Sequence, residues 1–247
     1  MKLIVLGSSS SSNGYVLRSE KGEVLLLECG YKLLEVKKVL DFDISGIVGG
    51  IVSHEHQDHS KYIEQYLSAG IEIRLSAGTN NALKYKGKTY PILCESKIPF
   101  MMGKFKILPF NTEHDAAEPL GFIINHPESG NIVFLTDSYY SKFKFKNINH
   151  YMVEANYCDD IVMKNIESGK LSLAMLSRLN ESHMSINTCK QLLEANDLSS
   201  VKNIVLIHLS SGNSNAKDFH KQVTELTGKK VIVADKNMEI DFNLKTF

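Results

Sequence analysis

At 247 residues the chain is long enough for one large domain or two small ones, and its 43% apolar content is ordinary for a folded globular protein. The 28 Lys and Arg balance the 28 Asp and Glu, so broad electrostatic capture of nucleic acid has no support in the net charge, which leaves a local patch as the only route to it. No apolar stretch is long enough to cross a bilayer, and the opening run Met1–Leu6 is too short for a signal-peptide core.

Taken in chain order, Leu3–Leu6 predicts a first strand, and Ser8–Ser12 with Asn13 and Gly14 reads as a tight polar loop, which fits either a plain connection or hydroxyls and amides offered to a phosphate. Strands follow at Tyr15–Leu17 and Val24–Leu27, then a helix at Lys32–Leu40. Ile47–Val52 is an apolar, β-branched run suited to a buried strand, and at its end stands His54-Glu55-His56-Gln57-Asp58-His59. Neutral imidazoles and a carboxylate are ligands for a borderline metal such as zinc, and imidazoles crowded without a metal would depress one another's protonation for little return. His54 and His56, two apart on an extended segment, would point to one side, and Asp58 and His59 would sit near the start of a helix over Ser60–Ser68.

Further strands are predicted at Ile71–Leu75, Phe105–Leu108, Gly121–Asn125, Ile132–Leu135, Tyr151–Val153, Ile204–Ile207 and Val231–Val233, and further helices at Asp159–Ser168, Ile186–Asn196 and Ala216–Thr227. Several chemically able residues follow apolar runs: His114 after Phe105–Phe110, Asp137 after Leu135, and His208 directly after Ile204–Ile207. His183 stands just before a helix, where a role near the helix cap competes with a chemical one. Strand ends on one edge of a layered α/β protein bring such residues together. His126, His150 and His220 read as surface residues, and Cys29 and Cys189 as small core residues. The four cysteines form no Cys-x-x-Cys pair, and reduced thiols suit the cytoplasm. Lys142, Lys144 and Lys146 alternate with Phe143 and Phe145, which fits either a nucleic-acid path with stacking rings or an amphipathic strand with exposed lysines. The whole, residues 1–247, reads as one domain of two mixed sheets covered by helices.

The order His-x-His-x-Asp-His, then a later His, an Asp after a strand and a late His resembles the metallo-β-lactamase superfamily over nearly the whole chain, and Leu27-Glu28-Cys29-Gly30 is similar to the start of the same fold. The resemblance implies an α/β, four-layer αββα sandwich. It implies one metal held by His54, His56 and His114, a second by Asp58, His59 and His208, and Asp137 bridging them. Two divalent ions, zinc or else manganese, would stand about 3.5–4 Å apart with a bridging hydroxide as the attacking group. Within the superfamily the segments Thr112–Phe122 and His208-Leu209-Ser210 resemble the YycJ/WalJ group. Glu154-Ala155-Asn156 and His183-Met184-Ser185 resemble two catalytic segments of RNase Z-type enzymes. By that likeness His183 would protonate the leaving oxygen, Glu154 would orient it, and Asp58 would count among the catalytic residues as well as the ligands. Three departures stand out: Tyr157 where the group carries His, Ser12 where it carries Gly, and Glu28 where it carries Asp.

The resulting expectation is a cytoplasmic dinuclear hydrolase of phosphodiester bonds, a DNA or RNA exonuclease with nucleic acid as partner and no membrane. The competing readings are a small-molecule hydrolase on the same centre (a cyclic phosphodiesterase, thioesterase or lactamase) and a non-catalytic binding module of the same fold.

Overall fold

In the computed structural model, which describes residues 1–244, two seven-stranded mixed sheets pack face to face. The first sheet sets β1 (Lys2–Ser9), β2 (Ser12–Arg18), β3 (Val24–Leu27), β4 (Ile47–Ile51), β5 (Ile73–Leu75) and β6 (Ile92–Leu93) side by side in that order, and the late strand β14 (Glu239–Asp241) returns to pair with β1. The second sets β7 (Phe100–Met102), β8 (Phe105–Asn111), β9 (Leu120–His126), β10 (Gly130–Leu135), β11 (Ile148–Glu154), β12 (Asn203–Ile207) and β13 (Lys230–Val233) in simple sequence. The helices are α1 (Leu33–Val39), α2 (Gln57–Ser60), α3 (Ile63–Ser68), α4 (Ala77–Ala82), α5 (Asp159–Glu167), α6 (Leu173–Ser182), α7 (Ile186–Glu194) and α8 (Ala216–Thr227).

The strands read as continuous apolar runs because both of their faces are covered. Successive side chains on a strand point to opposite faces. Leu3 and Val5 of β1, Leu25 and Leu27 of β3, Phe134 of β10 and Ile207 of β12 meet between the sheets. Their neighbours Ile4, Leu6 and Leu26 instead meet Leu33 and Val36 of α1 and Tyr66 and Leu67 of α3. On the far side Val133, Leu135 and Leu206 meet Ile186 and Leu193 of α7 and Phe219 and Val223 of α8. Four layers, αββα, result, as the resemblance implied. No helix among the described residues is long and apolar enough to cross a membrane.

Several expectations need correction. The serine run is a hairpin: Ser8 and Ser9 pair with Asn13 and Ser12, which leaves only Ser10 and Ser11 as the turn. The helix expected at Ser60–Ser68 is two, because the turn carrying Asp58 and His59 is itself the short helix α2. The elements β6, β7, β14, α4 and α6 were not foreseen; the strands are two or three residues long, too short for a periodic signal. His126 and His150 are buried rather than on the surface. His126 ends β9 with its ring against Phe105, and His150 lies in β11 stacked on Phe242. His220 is exposed, as read from the sequence. Phe143 and Phe145 turn inward against Phe110 while their lysine neighbours stay exposed, so the rings are core and line no path for bases. Cys29 and Cys189 are buried, and burial pushes both thiols up, Cys189 to about 12.

Candidate metal centre

Strand direction brings the candidate residues to one edge. β9 is antiparallel to both its neighbours, and β10, β11 and β12 are mutually parallel, so β8, β10, β11 and β12 all end on the same side. Their ends deliver His114, Asp137, Glu154 and His208. In the other sheet β4 runs parallel to β3 and leads into His54, His56 and the helix α2. The backbone N–H of His208 donates to Ser8 Oγ at 2.8 Å, which ties the two sheets together at this edge.

Three strand ends turn by the same device. Glu28 after β3, Asp137 after β10 and His208 after β12 are non-glycine residues with φ of +69°, +39° and +55°. Left-handed backbone at such residues costs roughly 1–3 kcal/mol each and persists only where the surroundings enforce it. The reversal carries each side chain off the line of its strand and into the space between the sheets' ends. His54, His59, Asp137, Glu154 and His208 are all buried.

The imidazoles share one orientation. His54 Nδ1 meets Ser53 Oγ at 2.9 Å, and His114 Nδ1 donates to the carbonyl of Ser182 at 2.6 Å. His59 Nδ1 faces Glu28 Oε2 at 3.5 Å but makes no hydrogen bond, so its partner acts by charge alone. His208 Nδ1 lies 2.9 Å from Glu154 Oε1 and 3.0 Å from Asp137 Oδ1. An imidazole held by its Nδ1–H presents the Nε2 lone pair, which is how metal-binding histidines are set by their outer partners. His56 is the exception, with its Nδ1 3.1 Å from His114 Nε2. His54 Nε2 is buried without any hydrogen-bond partner. His59 Nε2 stands 2.7 Å from Asp137 Oδ2 and 3.1 Å from Asp58 Oδ2, and His208 Nε2 stands 3.2 Å from Asp58 Oδ2. Acceptors converging at such distances in a buried site need a proton or a cation between them, and the donor set, nitrogen and carboxylate oxygen, suits a divalent ion.

Four sets of candidate ligand atoms each lie within 4.8 Å of one another: His54, His56 and His114; Asp58, His59 and His208; His54, His59 and Asp137; and Asp137, Glu154, His183 and His208. Every residue singled out from the sequence falls in one of these sets. The first two sets have the composition the resemblance implied, and Asp137 shares a set with members of each. The fourth was not anticipated, since it offers Glu154 and His183 as ligands too.

The electrostatics divide the histidines. Burial holds His54 and His114 below the usual imidazole range, which keeps them neutral. Burial also opposes charging of His59 and His208, but Asp137 outweighs it and holds both above that range. For His183 burial is outweighed first by Glu154 and then by Asp137, and its pKa is pushed up to about 9. His183 Nδ1 lies 2.7 Å from Glu154 Oε1, and the other carboxylate oxygen of Glu154 accepts the backbone N–H groups of Ser138 and Met184, both at 3.0 Å.

Sequence reasoning passed over four participants. Glu28 was noted only as a departure, although an acid closing an apolar strand is the pattern that drew attention to Asp137. Asn13 donates from Nδ2 to Asp58 Oδ2 at 3.0 Å and lies 3.1 Å from His59 Nε2. Ser53 and the carbonyl of Ser182 contact the candidate imidazoles of His54 and His114 but carry no signal of it in the sequence. Tyr157, another of the three departures, is buried, and its hydroxyl donates to Asn180 Oδ1 at 2.8 Å.

No protein-family model matches the chain. The exodeoxyribonuclease YycJ of Bacillus anthracis is 28% identical over 244 residues, which cover 92% of this chain and 89% of that protein. Among solved structures, the metallo-β-lactamase fold protein YhfI from Bacillus subtilis superimposes with a TM-score of 0.73 at 19% identity, over 97% of this chain and 99% of that one. The short form of human tRNase Z does so with a TM-score of 0.63 at 17% identity, over 98% and 99%. With two mixed sheets clad in helices and these likenesses along nearly its whole length, the chain has the metallo-β-lactamase fold.

Proposed function

We propose that this chain is a metal-dependent phosphodiesterase that removes terminal nucleotides from DNA or RNA. The observation that carries the reading is the Glu154–His183 pair standing beside two sets of three histidine and aspartate ligands. The relative YycJ, an exodeoxyribonuclease, supports the same direction. Two divalent ions, zinc or manganese, held by His54, His56 and His114 and by Asp58, His59 and His208 with Asp137 between, would supply an activated water and neutralise charge developing on the phosphate.

The protein's own groups do the rest. Nδ1 of His183 is engaged by Glu154, so its Nε2 is the atom left to hold a proton for the departing oxygen. Glu154 fixes that ring and, through the same oxygen, His208. Asp58 receives Asn13 Nδ2 on Oδ2, the same oxygen that faces His59 Nε2 and His208 Nε2, so the amide fixes the carboxylate among its partner imidazoles. A second reading, a hydrolase of small substrates on the same centre, draws on the zero net charge, which gives no broad attraction for a polyanion.

The deciding experiment offers 5′- and 3′-labelled single- and double-stranded DNA and RNA with Mn²⁺ or Zn²⁺, alongside bis-p-nitrophenyl phosphate, a thioester and a β-lactam. Stepwise shortening from one end, abolished in His56→Ala, is the expected result. Turnover of the thioester or the β-lactam with intact polynucleotides would overturn the nuclease reading in favour of the second.

A further inference from the structure

Helix α6 is an odd element to find beside a buried centre. Of its ten residues only Ser182 is buried, and Leu173 and Met175 are 67% and 43% exposed. Its apolar anchor is weak: Leu176 and Leu179 are only half-buried, and neither joins the apolar cores around the sheets. Its C-terminal end nevertheless matters to the centre. The carbonyl of Ser182, one of the last carbonyls of the helix and so free of an intrahelical partner, accepts the Nδ1–H of His114 at 2.6 Å. The next residue is His183.

Polar links hold this helix in place. Arg178 Nε is 3.7 Å from Asp115 Oδ2, but both side chains are exposed, and such a pair contributes little. Beside the Ser182 carbonyl bond itself, and the Met184 N–H bond to Glu154 that follows it, stands the 2.8 Å hydrogen bond from the Tyr157 hydroxyl to Asn180 Oδ1, two residues before Ser182. Tyr157 is itself rigidly placed. It is buried, it pairs with Ser185 in a parallel bridge, and its carbonyl accepts the N–H of Ile186 at 2.8 Å. Its ring thus reaches from the base of α7 to the flank of α6.

We propose that Tyr157 is a positioning residue: through Asn180 it holds the C-terminal turn of α6, so that the Ser182 carbonyl orients His114 for metal. The inference rests on the metal reading above, in which His114 joins His54 and His56. Partners that orient a metal-binding imidazole typically matter 10–100-fold for affinity.

The test titrates metal-free protein with Co²⁺, following its visible absorption, and measures hydrogen exchange over residues 173–182. Tyr157→Phe and Asn180→Leu should each weaken one of the two Co²⁺ ions by about 10–100-fold, alter its absorption band and speed exchange in α6. Asn180→Asp keeps an acceptor oxygen for the hydroxyl and should restore both readouts to near wild type. A merely structural role for Tyr157 would lower the melting temperature while leaving the Co²⁺ band and affinity unchanged, and that outcome overturns the proposal. Wild-type protein that binds no Co²⁺ overturns the metal reading and this inference with it. Normal Co²⁺ binding by wild type and Tyr157→Phe alike overturns the tether alone.

Discussion

Glu154 carries four donors on one carboxylate: the imidazoles of His183 and His208 on one oxygen and two backbone N–H groups on the other. A glutamine there must turn an N–H₂ toward at least one of those donors, because only one of its two terminal atoms accepts. Turnover in Glu154→Gln should therefore fall about 10²–10⁴-fold, the usual worth of a positioned proton donor, and His183→Ala should fall by a similar factor. The double variant should be little worse than either single one, since the two act as a unit. Metal analysis of His183→Ala separates two assignments: two ions retained fits a proton donor, whereas loss of an ion makes His183 a ligand, as the set of Asp137, Glu154, His183 and His208 would allow. At this scale the sequence was informative wherever chemistry sits in the residue type. Three histidines and an aspartate within six positions stand out as candidates, and so do His114, Asp137 and His208 at the ends of apolar runs. Residues that act by an amide, a hydroxyl or a backbone carbonyl, such as Asn13, Ser53 and Ser182, have no such mark, because the same groups occur throughout any polar loop.

Elements place those residues, and one glycine shows how tightly. Between β3 and α1, Gly30 lies where three stretches of backbone converge. A Cβ there would stand 1.9 Å from the carbonyl oxygen of Asp58 and 2.6 and 2.8 Å from the oxygen and nitrogen of Asn13. These are backbone atoms, so no side-chain rotation relieves the contact. Gly30→Ala must push the α2 turn away from β2, separating Asp58 from the Asn13 amide that it accepts. The expected cost is about 1–3 kcal/mol of stability, read by urea unfolding, together with loss of the ion assigned to Asp58, His59 and His208. Unchanged stability and metal content would mean that the turn tolerates displacement. Long apolar strands were legible because both their faces are buried, and α8 has the predicted bounds because its apolar stripe and its Asn215 cap agree. The edge strands β6 and β7 and the helix α6 were not, since their placement depends on neighbours distant in sequence. The two histidines misjudged as surface, His126 and His150, stand in polar sequence surroundings; only the sheet register buries them.

His150 also bears on the molecule as a whole, since it helps to hold the sandwich shut at the end of β11 away from the centre. The ring stacks on Phe242, which follows β14 of the opposite sheet, with centroids 4.2 Å apart and planes 8° from parallel. Asn203 Nδ2 donates to His150 Nδ1 at 3.0 Å and to the carbonyl of Asp241 at 2.8 Å, so one amide serves both sheets. Burial first, and then the charge of Lys202, pull the pKa of His150 down to about 4. The unfolded chain would take up this proton near pH 6.5 and the folded one only near pH 4. Between those values the unfolded state binds more protons, so stability falls as the pH falls. The contribution is complete above about pH 6.5, is lost progressively down to about pH 4 and changes little below. The window corresponds to about 3 kcal/mol. His150→Phe keeps a ring on Phe242 and removes the titration. Urea unfolding of both proteins at pH 7 and pH 4.5 should show the wild type losing about 2–3 kcal/mol more than the variant. Other groups titrate equally in both and cancel in the difference. An equal loss in the two proteins would mean that His150 takes its proton inside the folded sandwich, with the stacked pair opening to admit water.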